Sequence, residues 1–251
     1  MEYNLERFMN LTFERFRKNA KDPNLSKYEK IGFPNSYRDE KEEYIFMNIM
    51  SNLENIHKTN QVVMDIGPGC SNLPLMFIEL CRVNNNKILL VDSKEMLDLL
   101  PSEDFIIKIP AYYPDDCLWV FEEYREKINS ILSYSVLHYI FDEGNIFSFL
   151  DKTLGLLAEE GECLLGDIPN ASKRNRFFSS TKGIKFHKNF MNVNEEPKVE
   201  CNKIRDSQID DSIILSILLR CRLSGFDAYV LPQPRLLSLE NRREDILIRR
   251  P

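Results

Sequence analysis

The sequence predicts an α/β fold: a mostly parallel sheet covered by helices on both faces, ending in antiparallel strands and preceded by a helical extension. From Gln61 onward short apolar runs alternate with helical patterns, and strict alternation implies βαβ units around a parallel sheet. The last two apolar runs, residues 227–231 and 245–249, are joined by a Pro-containing loop with no room for a crossover helix, so they pair antiparallel. At 251 residues and 43% hydrophobic, one such domain with an extension accounts for the length.

The elements follow in order. Residues 5–18 carry Leu5, Phe8, Met9, Thr12, Phe13 and Phe16 on one helical stripe, and residues 39–56 carry Tyr44, Ile45, Met47, Ile49, Met50 and Leu53 on another. Between them, residues 21–37 are rich in Pro, Gly, Asn and Ser and read as a loop, with aromatics on both sides of Gly32-Phe33-Pro34. Residues 1–60 thus form a helical extension expected to cap a site. Strands are expected at 62–66, 87–91, 105–109, 128–133 and 162–167, with helices at 73–82, 94–99, 118–127 and 146–158. A helix at 207–223 precedes the closing strands, and the insertion at about 169–206 separates it from the fifth strand. The domain spans residues 61–251.

A net charge of −6 argues against a general nucleic-acid binder, because phosphate neutralisation needs a basic face. The run Lys173-Arg174-Asn175-Arg176 is too short to change that. The N-terminus lacks the apolar core of a secretory signal, and the apolar run at 213–219 is too short to span a bilayer, so the expected location is the cytoplasm. Six cysteines without a CxxC pair read as reduced, buried thiols.

The sharpest local signal is Val62-Val63-Met64-Asp65-Ile66-Gly67-Pro68-Gly69-Cys70-Ser71, an apolar strand ending in an acid and a Gly-x-Gly turn into a helix. Gly67 and Gly69 let the backbone approach a ligand, and Asp65 suits a cationic ammonium. Alone the motif also fits a tight turn without a ligand. A second buried strand, Lys87-Ile88-Leu89-Leu90-Val91-Asp92, ends in an acid 23 positions beyond Gly69, placed to take both hydroxyls of a ribose. The plainer alternative for Asp92 is the N-cap of the helix that follows.

These segments resemble the class I S-adenosylmethionine-dependent methyltransferases, over about residues 61–251. Asp65-Ile66-Gly67-Pro68-Gly69 is similar to the family's first motif, and Asp92, with Ser93 beside it, to its ribose-binding acid. Ile131-Leu132-Ser133-Tyr134-Ser135-Val136-Leu137-His138-Tyr139 resembles the fourth-strand motif, whose residues after the strand line cofactor and acceptor. Gly161-Glu162-Cys163-Leu164-Leu165-Gly166-Asp167 resembles the fifth-strand motif. The resemblance implies a Rossmann-like seven-stranded sheet with an antiparallel last strand, S-adenosylmethionine as cofactor, and Asp65, Gly67, Pro68, Gly69, Asp92, Ser93, Ser133, Tyr134 and Ser135 as its contacts. Three positions depart from the pattern. Asn129 stands where an acid is common, Tyr134 where the end of the fourth strand is usually polar, and the adenine-binding acid is missing from Ile109-Pro110-Ala111-Tyr112, leaving Asp115 or Asp116 as candidates unless they cap the next helix.

For methyl transfer to oxygen a base is needed, and His138, at the carboxyl end of the fourth strand, leads; a structural histidine is the alternative. His187 in the insertion is a second candidate, and Asp167 is placed to orient a histidine or bind a hydroxyl. His57 is expected to face solvent at a helix end. Asp167-Ile168-Pro169-Asn170 and the following Lys173, Arg174 and Arg176 suit a polar anionic acceptor, with Tyr139 and Asn170 also facing it. An ordinary basic helix surface is the competing reading. A looser likeness to methyltransferases of bacterial surface-polysaccharide functions points to a sugar nucleotide or phosphorylated saccharide. No metal is required. An N-methyltransferase and a non-catalytic binding module are the alternatives; the oligomeric state is not legible.

Overall fold

The computed structural model describes residue 8, residues 11–199 and residues 208–251. Four helices come first: α1 (Phe13–Lys21), α2 (Lys27–Lys30), α3 (Asn35–Arg38) and α4 (Glu42–Asn52). Then β1 (Val62–Ile66), α5 (Asn72–Val83), β2 (Lys87–Asp92), α6 (Lys94–Leu97), β3 (Ile106–Pro110), α7 (Leu118–Glu123) and β4 (Ile128–Tyr134) follow. The chain continues through α8 (Leu137–Glu143), α9 (Ile146–Leu154), β5 (Leu157–Pro169), α10 (Ala171–Phe178), α11 (Thr181–Met191), α12 (Asp211–Leu223), β6 (Asp227–Pro232) and β7 (Arg243–Arg249).

The seven strands form one sheet in the order β3-β2-β1-β4-β5-β7-β6, parallel from β3 to β5, with β7 antiparallel to both β5 and β6. This is the fold class expected from the sequence. Because strand side chains alternate, the register puts Met64, Leu89, Ile131, Cys163 and Ile246 on one face with α7, α8, α9 and α12. Val63, Ile88, Leu132, Leu164 and Leu247 lie on the other face under α4 and α5. Phe77 of α5 is 1% exposed there, and Phe77→Ala would cost about 3–5 kcal/mol. Ile45, Ile49 and Leu53 of α4 belong to that core, so the last helix of the extension is built into the sheet domain.

Several boundaries differ from expectation. Thr12 is not on the helical stripe; its hydroxyl caps α1 by accepting from the Arg15 amide, which starts the helix at Phe13. Of the expected helix before residue 11, only Phe8 lies within the described residues, and Ser207 and Cys201 lie outside them. The loop at 21–37 contains α2, opened by a capping box between Ser26 and Glu29, and most of α3. The helix at 146–158 ends at Leu154, since Gly155 closes it and Leu157 already pairs with Ile128 as the start of a 13-residue β5. The five cysteines within the described residues are free thiols.

Candidate active site

At the carboxyl ends of β1 and β2 the chain builds a turn with a carboxylate beside it. Gly67 and Gly69 have φ of +72° and +67°, a region that side chains with a Cβ avoid. A Cβ on Gly67 would lie 2.5 Å from Val136 Cγ2, and one on Gly69 2.6 Å from Ile31 Cγ2. The Gly67 amide donates to Val91 O (2.8 Å), fastening the turn to β2. Asp92 accepts from the amides of Gly69 (3.0 Å) and Ser93 (2.6 Å), so the acid at the tip of β2 shapes the glycine turn. Burial pushes Asp92 up to about 6, against these hydrogen bonds, and burial followed by the Asp92 charge pushes Asp65 up to about 8. Asp92 is not the helix cap: Ser93 is, its hydroxyl accepting from the Met96 amide.

The turn opens into a cavity of about 130 Å³. Ile66, Gly67, Pro68, Gly69, Val91, Asp92 and Met96 form one wall, Ala111, Tyr112 and Tyr113 a second, and Tyr134, Ser135, Val136 and Tyr139 a third. The extension adds Phe13, Phe16, Ile31, Phe33, Arg38 and Glu42. Phe13 meets Tyr112 edge-on at 5.0 Å and Phe16 meets Tyr139 at 4.9 Å, while the Arg17 guanidinium grips Glu95 (Nε to Oε2, 2.9 Å). Helix α1 therefore lies across the mouth, held by aromatic contacts and by the ion pairs of Arg17 and Lys21 with Glu95.

Behind the cavity sits a buried polar network. Arg38 is 4% exposed, its guanidinium 4.0 Å from the centre of the Phe33 ring and 5.5 Å from that of Tyr134. It donates to Ser135 Oγ (2.7 Å) and Asp167 Oδ2 (3.3 Å). The Ser135 hydroxyl also bonds Asp167, which accepts from Arg243 (2.9 Å) and Gln233 (3.3 Å). Ser135 (φ +62°) and Asp167 (φ +59°) both hold left-handed conformations at the ends of β4 and β5. Strain of about 1–3 kcal/mol at each is kept by this network, and such strain gathers at functional sites.

The structure brings together Gly67, Pro68, Gly69, Asp92, Tyr134, Ser135 and Tyr139 around one cavity, with Asp167 bound to Arg38 at its inner end. Asp65 (3% exposed) and Ser133 (0%) are buried at the strand ends and are absent from the cavity wall. His138 lies beside Tyr139 with its Nδ1 buried and unpartnered. Burial, and then Arg243 and Arg38, push the imidazole down to about 3 although Asp167 opposes them, so the ring is neutral at any ordinary pH.

The insertion residues stand elsewhere. Asn170 caps α10 and binds Asp211 (2.8 Å) and Glu244 (2.7 Å); Lys173 donates to Arg243 O (2.7 Å). Arg174 lies over Phe178, Arg176 pairs with Asp211, and His187 on α11 faces the edge of Phe178 at 6.1 Å. None of these lines the cavity, because their partners tie α10 to α12 and β7. Asp116 accepts from the Tyr112 amide (3.3 Å) and, like Asp115, is absent from the cavity wall; the cap position of α7 is Cys117, without a side-chain bond. His57 is exposed, a ring nitrogen 2.8 Å from Met50 O. Asn129 accepts from the Val62 amide (2.9 Å), work an amide does as well as an acid.

Sequence reasoning missed Arg38, Glu42, Gln233 and Arg243. The available signal was polar or charged residues within or beside apolar elements, at the start of α4 and along β7. Among the described residues no group of three or more His, Cys, Asp or Glu is disposed to hold a metal, and no helix is long and apolar enough to cross a membrane.

No protein-family model matches the chain, and no curated protein matches it in sequence. Solved structures do match in fold. A SAM-dependent methyltransferase from Aquifex aeolicus aligns with a TM-score of 0.54 at 10% identity, covering 89% of this chain and 96% of its own. The mitomycin 7-O-methyltransferase MmcR aligns at 0.53 and 14%, covering 96% and 61%. A Haemonchus contortus phosphoethanolamine N-methyltransferase, in complex with phosphoethanolamine and S-adenosylhomocysteine, aligns at 0.54 and 14%, covering 95% and 50%. The fold is that of S-adenosylmethionine-dependent methyltransferases, in examples that act on oxygen and on nitrogen.

Proposed function

We propose that the protein is an S-adenosylmethionine-dependent methyltransferase acting at an oxygen of a small polar acceptor. The observation that carries this reading is the pairing of the Gly67-Pro68-Gly69 turn with Asp92 on the wall of one cavity. The residues present fit the cofactor: Gly67 and Gly69 leave backbone room beside the cavity, and Asp92 offers a carboxylate to ribose hydroxyls. Met96, Ala111 and Tyr112 provide an apolar wall for the adenine. When bound, S-adenosylmethionine supplies an electrophilic methyl group on a sulfonium.

The chain's own residues then position and shield. Phe13, Phe16 and Phe33 close the mouth and exclude water, which strengthens the site's electrostatics. Ser135, Tyr139 and Arg38 meet the acceptor, and its anionic group, phosphate or saccharide-borne, pairs with Arg38 in place of Lys173, Arg174 or Arg176. His138, next to Tyr139 of the cavity wall but itself absent from it, is the base assigned to the acceptor's proton, and Asp167 offsets the charge it gains. An anionic acceptor beside Arg38 and Arg243 opposes the part of the depression that those two charges cause, while burial, the larger cause, remains.

Methyl-labelled S-adenosylmethionine offered with a panel of hydroxylated and phosphorylated small molecules tests this. Label recovered as a methyl ether supports it. Label recovered only on amines overturns oxygen as the reacting atom, and a protein that binds the nucleoside but transfers to nothing in a full cell extract favours the non-catalytic module.

A further inference from the structure

Helix α4 opens with Glu42, which is 3% exposed, stands on the cavity wall and uses only half of its carboxylate. Its Oε2 accepts from the Asn72 amide (2.8 Å) at the first residue of α5. Its Oε1 is buried and has no hydrogen-bond partner. Leaving a buried carboxylate oxygen unpaired is costly, and a protein tolerates this where a ligand completes the bonding. The nearby Tyr28 hydroxyl is pushed up to about 12, by burial and then by the charges of Glu42 and Asp39. No lysine or arginine forms an ion pair with Glu42 among the described residues; Lys27, the cation next to Asn72, donates to the Asn72 side chain instead (2.7 Å).

Asp92 and Glu42 are thus two carboxylates on one cavity, joined through the Gly69–Asn72 turn. Asp65, the acid the sequence offers for an ammonium, is absent from the cavity wall. We infer that Glu42, from the N-terminal extension, is the residue that binds the ammonium of the cofactor's amino-acid tail through its free Oε1. This rests on the cofactor reading above. It makes the extension part of the binding site, with a cation contact as well as an aromatic cover.

The test is calorimetric titration of native protein and Glu42→Gln with S-adenosylhomocysteine, which carries the ammonium, and with 5′-methylthioadenosine, which has the nucleoside and lacks it. The glutamine keeps an oxygen for the Asn72 amide, so α5 retains its start; ligand-induced shifts in melting temperature give a second readout on the same samples. The expected result is about a 10–100-fold loss for S-adenosylhomocysteine, the scale of a hydrogen bond between charged groups, with the methylthioadenosine affinity within about twofold of native. Equal losses for both nucleosides overturn the inference, because they mark a structural role, and so does an unchanged S-adenosylhomocysteine affinity. Asp65→Asn run alongside is expected to lose less than Glu42→Gln; the reverse order returns the ammonium to Asp65. Native protein that binds neither nucleoside overturns the cofactor reading itself.

Discussion

Replacing Gly67 by alanine isolates what the glycine turn demands. At φ +72° an L-residue costs about 1–2 kcal/mol, and the new methyl would sit 2.5 Å from Val136 Cγ2, closer than carbon atoms pack. Overpacking of that kind costs about 1–3 kcal/mol, so Gly67→Ala should lose about 2–5 kcal/mol in all. For a domain of this size that lowers the melting temperature by roughly 5–20 °C. Gly67→Ala, Val136→Ala and the double variant, compared by thermal and urea unfolding, separate the two parts. Removing the Val136 methyls relieves the clash and leaves the backbone strain, so a coupling of about 1–3 kcal/mol is expected. Gly67→Ala within about 0.5 kcal/mol of native, or a coupling near zero, would refute the packing argument.

Three further outcomes follow from the same geometry. On the proposed contact of ribose hydroxyls with ionised Asp92, S-adenosylhomocysteine affinity should be flat well above pH 6 and fall as pH drops through about 6, while Asp92→Asn should show no such limb. The His138 imidazole, held near 3 in the ligand-free protein, should show no NMR titration between pH 5 and 8. Its depressed pKa penalises folding increasingly as pH falls from about 6.5 toward 3, so a midpoint near 6.5 would contradict the burial argument. Arg176→Ala removes an exposed ion pair with Asp211 and should cost under about 1 kcal/mol without changing nucleoside affinity; a large loss of affinity would bring α10 back into the site.

The sheet and its glycine turn were legible because both are written locally: short apolar runs mark the strands, and Gly67-Pro68-Gly69 marks the tight turn at the carboxyl end of β1, beside the acid at the next strand tip. Arg38 and Glu42 were not legible, since their partners Asp167 and Asn72 are 129 and 30 residues away and only the tertiary fold joins them. Lys173 and Arg176 illustrate the converse. A basic run after a strand reads as an anion site, but Asp211 and Glu244 arrive from α12 and β7 to neutralise it. His138 was placed correctly next to the fourth strand; its surroundings of Arg38, Arg243 and Asp167 come from three other segments and reset its chemistry.

We propose that the Gly67-Pro68-Gly69 turn and Asp92 bind the adenosyl nucleoside. Isothermal calorimetry of S-adenosylhomocysteine with native protein and Asp92→Ala tests it most directly. Two hydrogen bonds to a charged acceptor at about 1.5–3 kcal/mol each imply that the variant binds at least about 100-fold more weakly. Native protein that gives one-to-one binding and a variant with that deficit is the expected result; equal affinities, or no binding by the native protein, would contradict it.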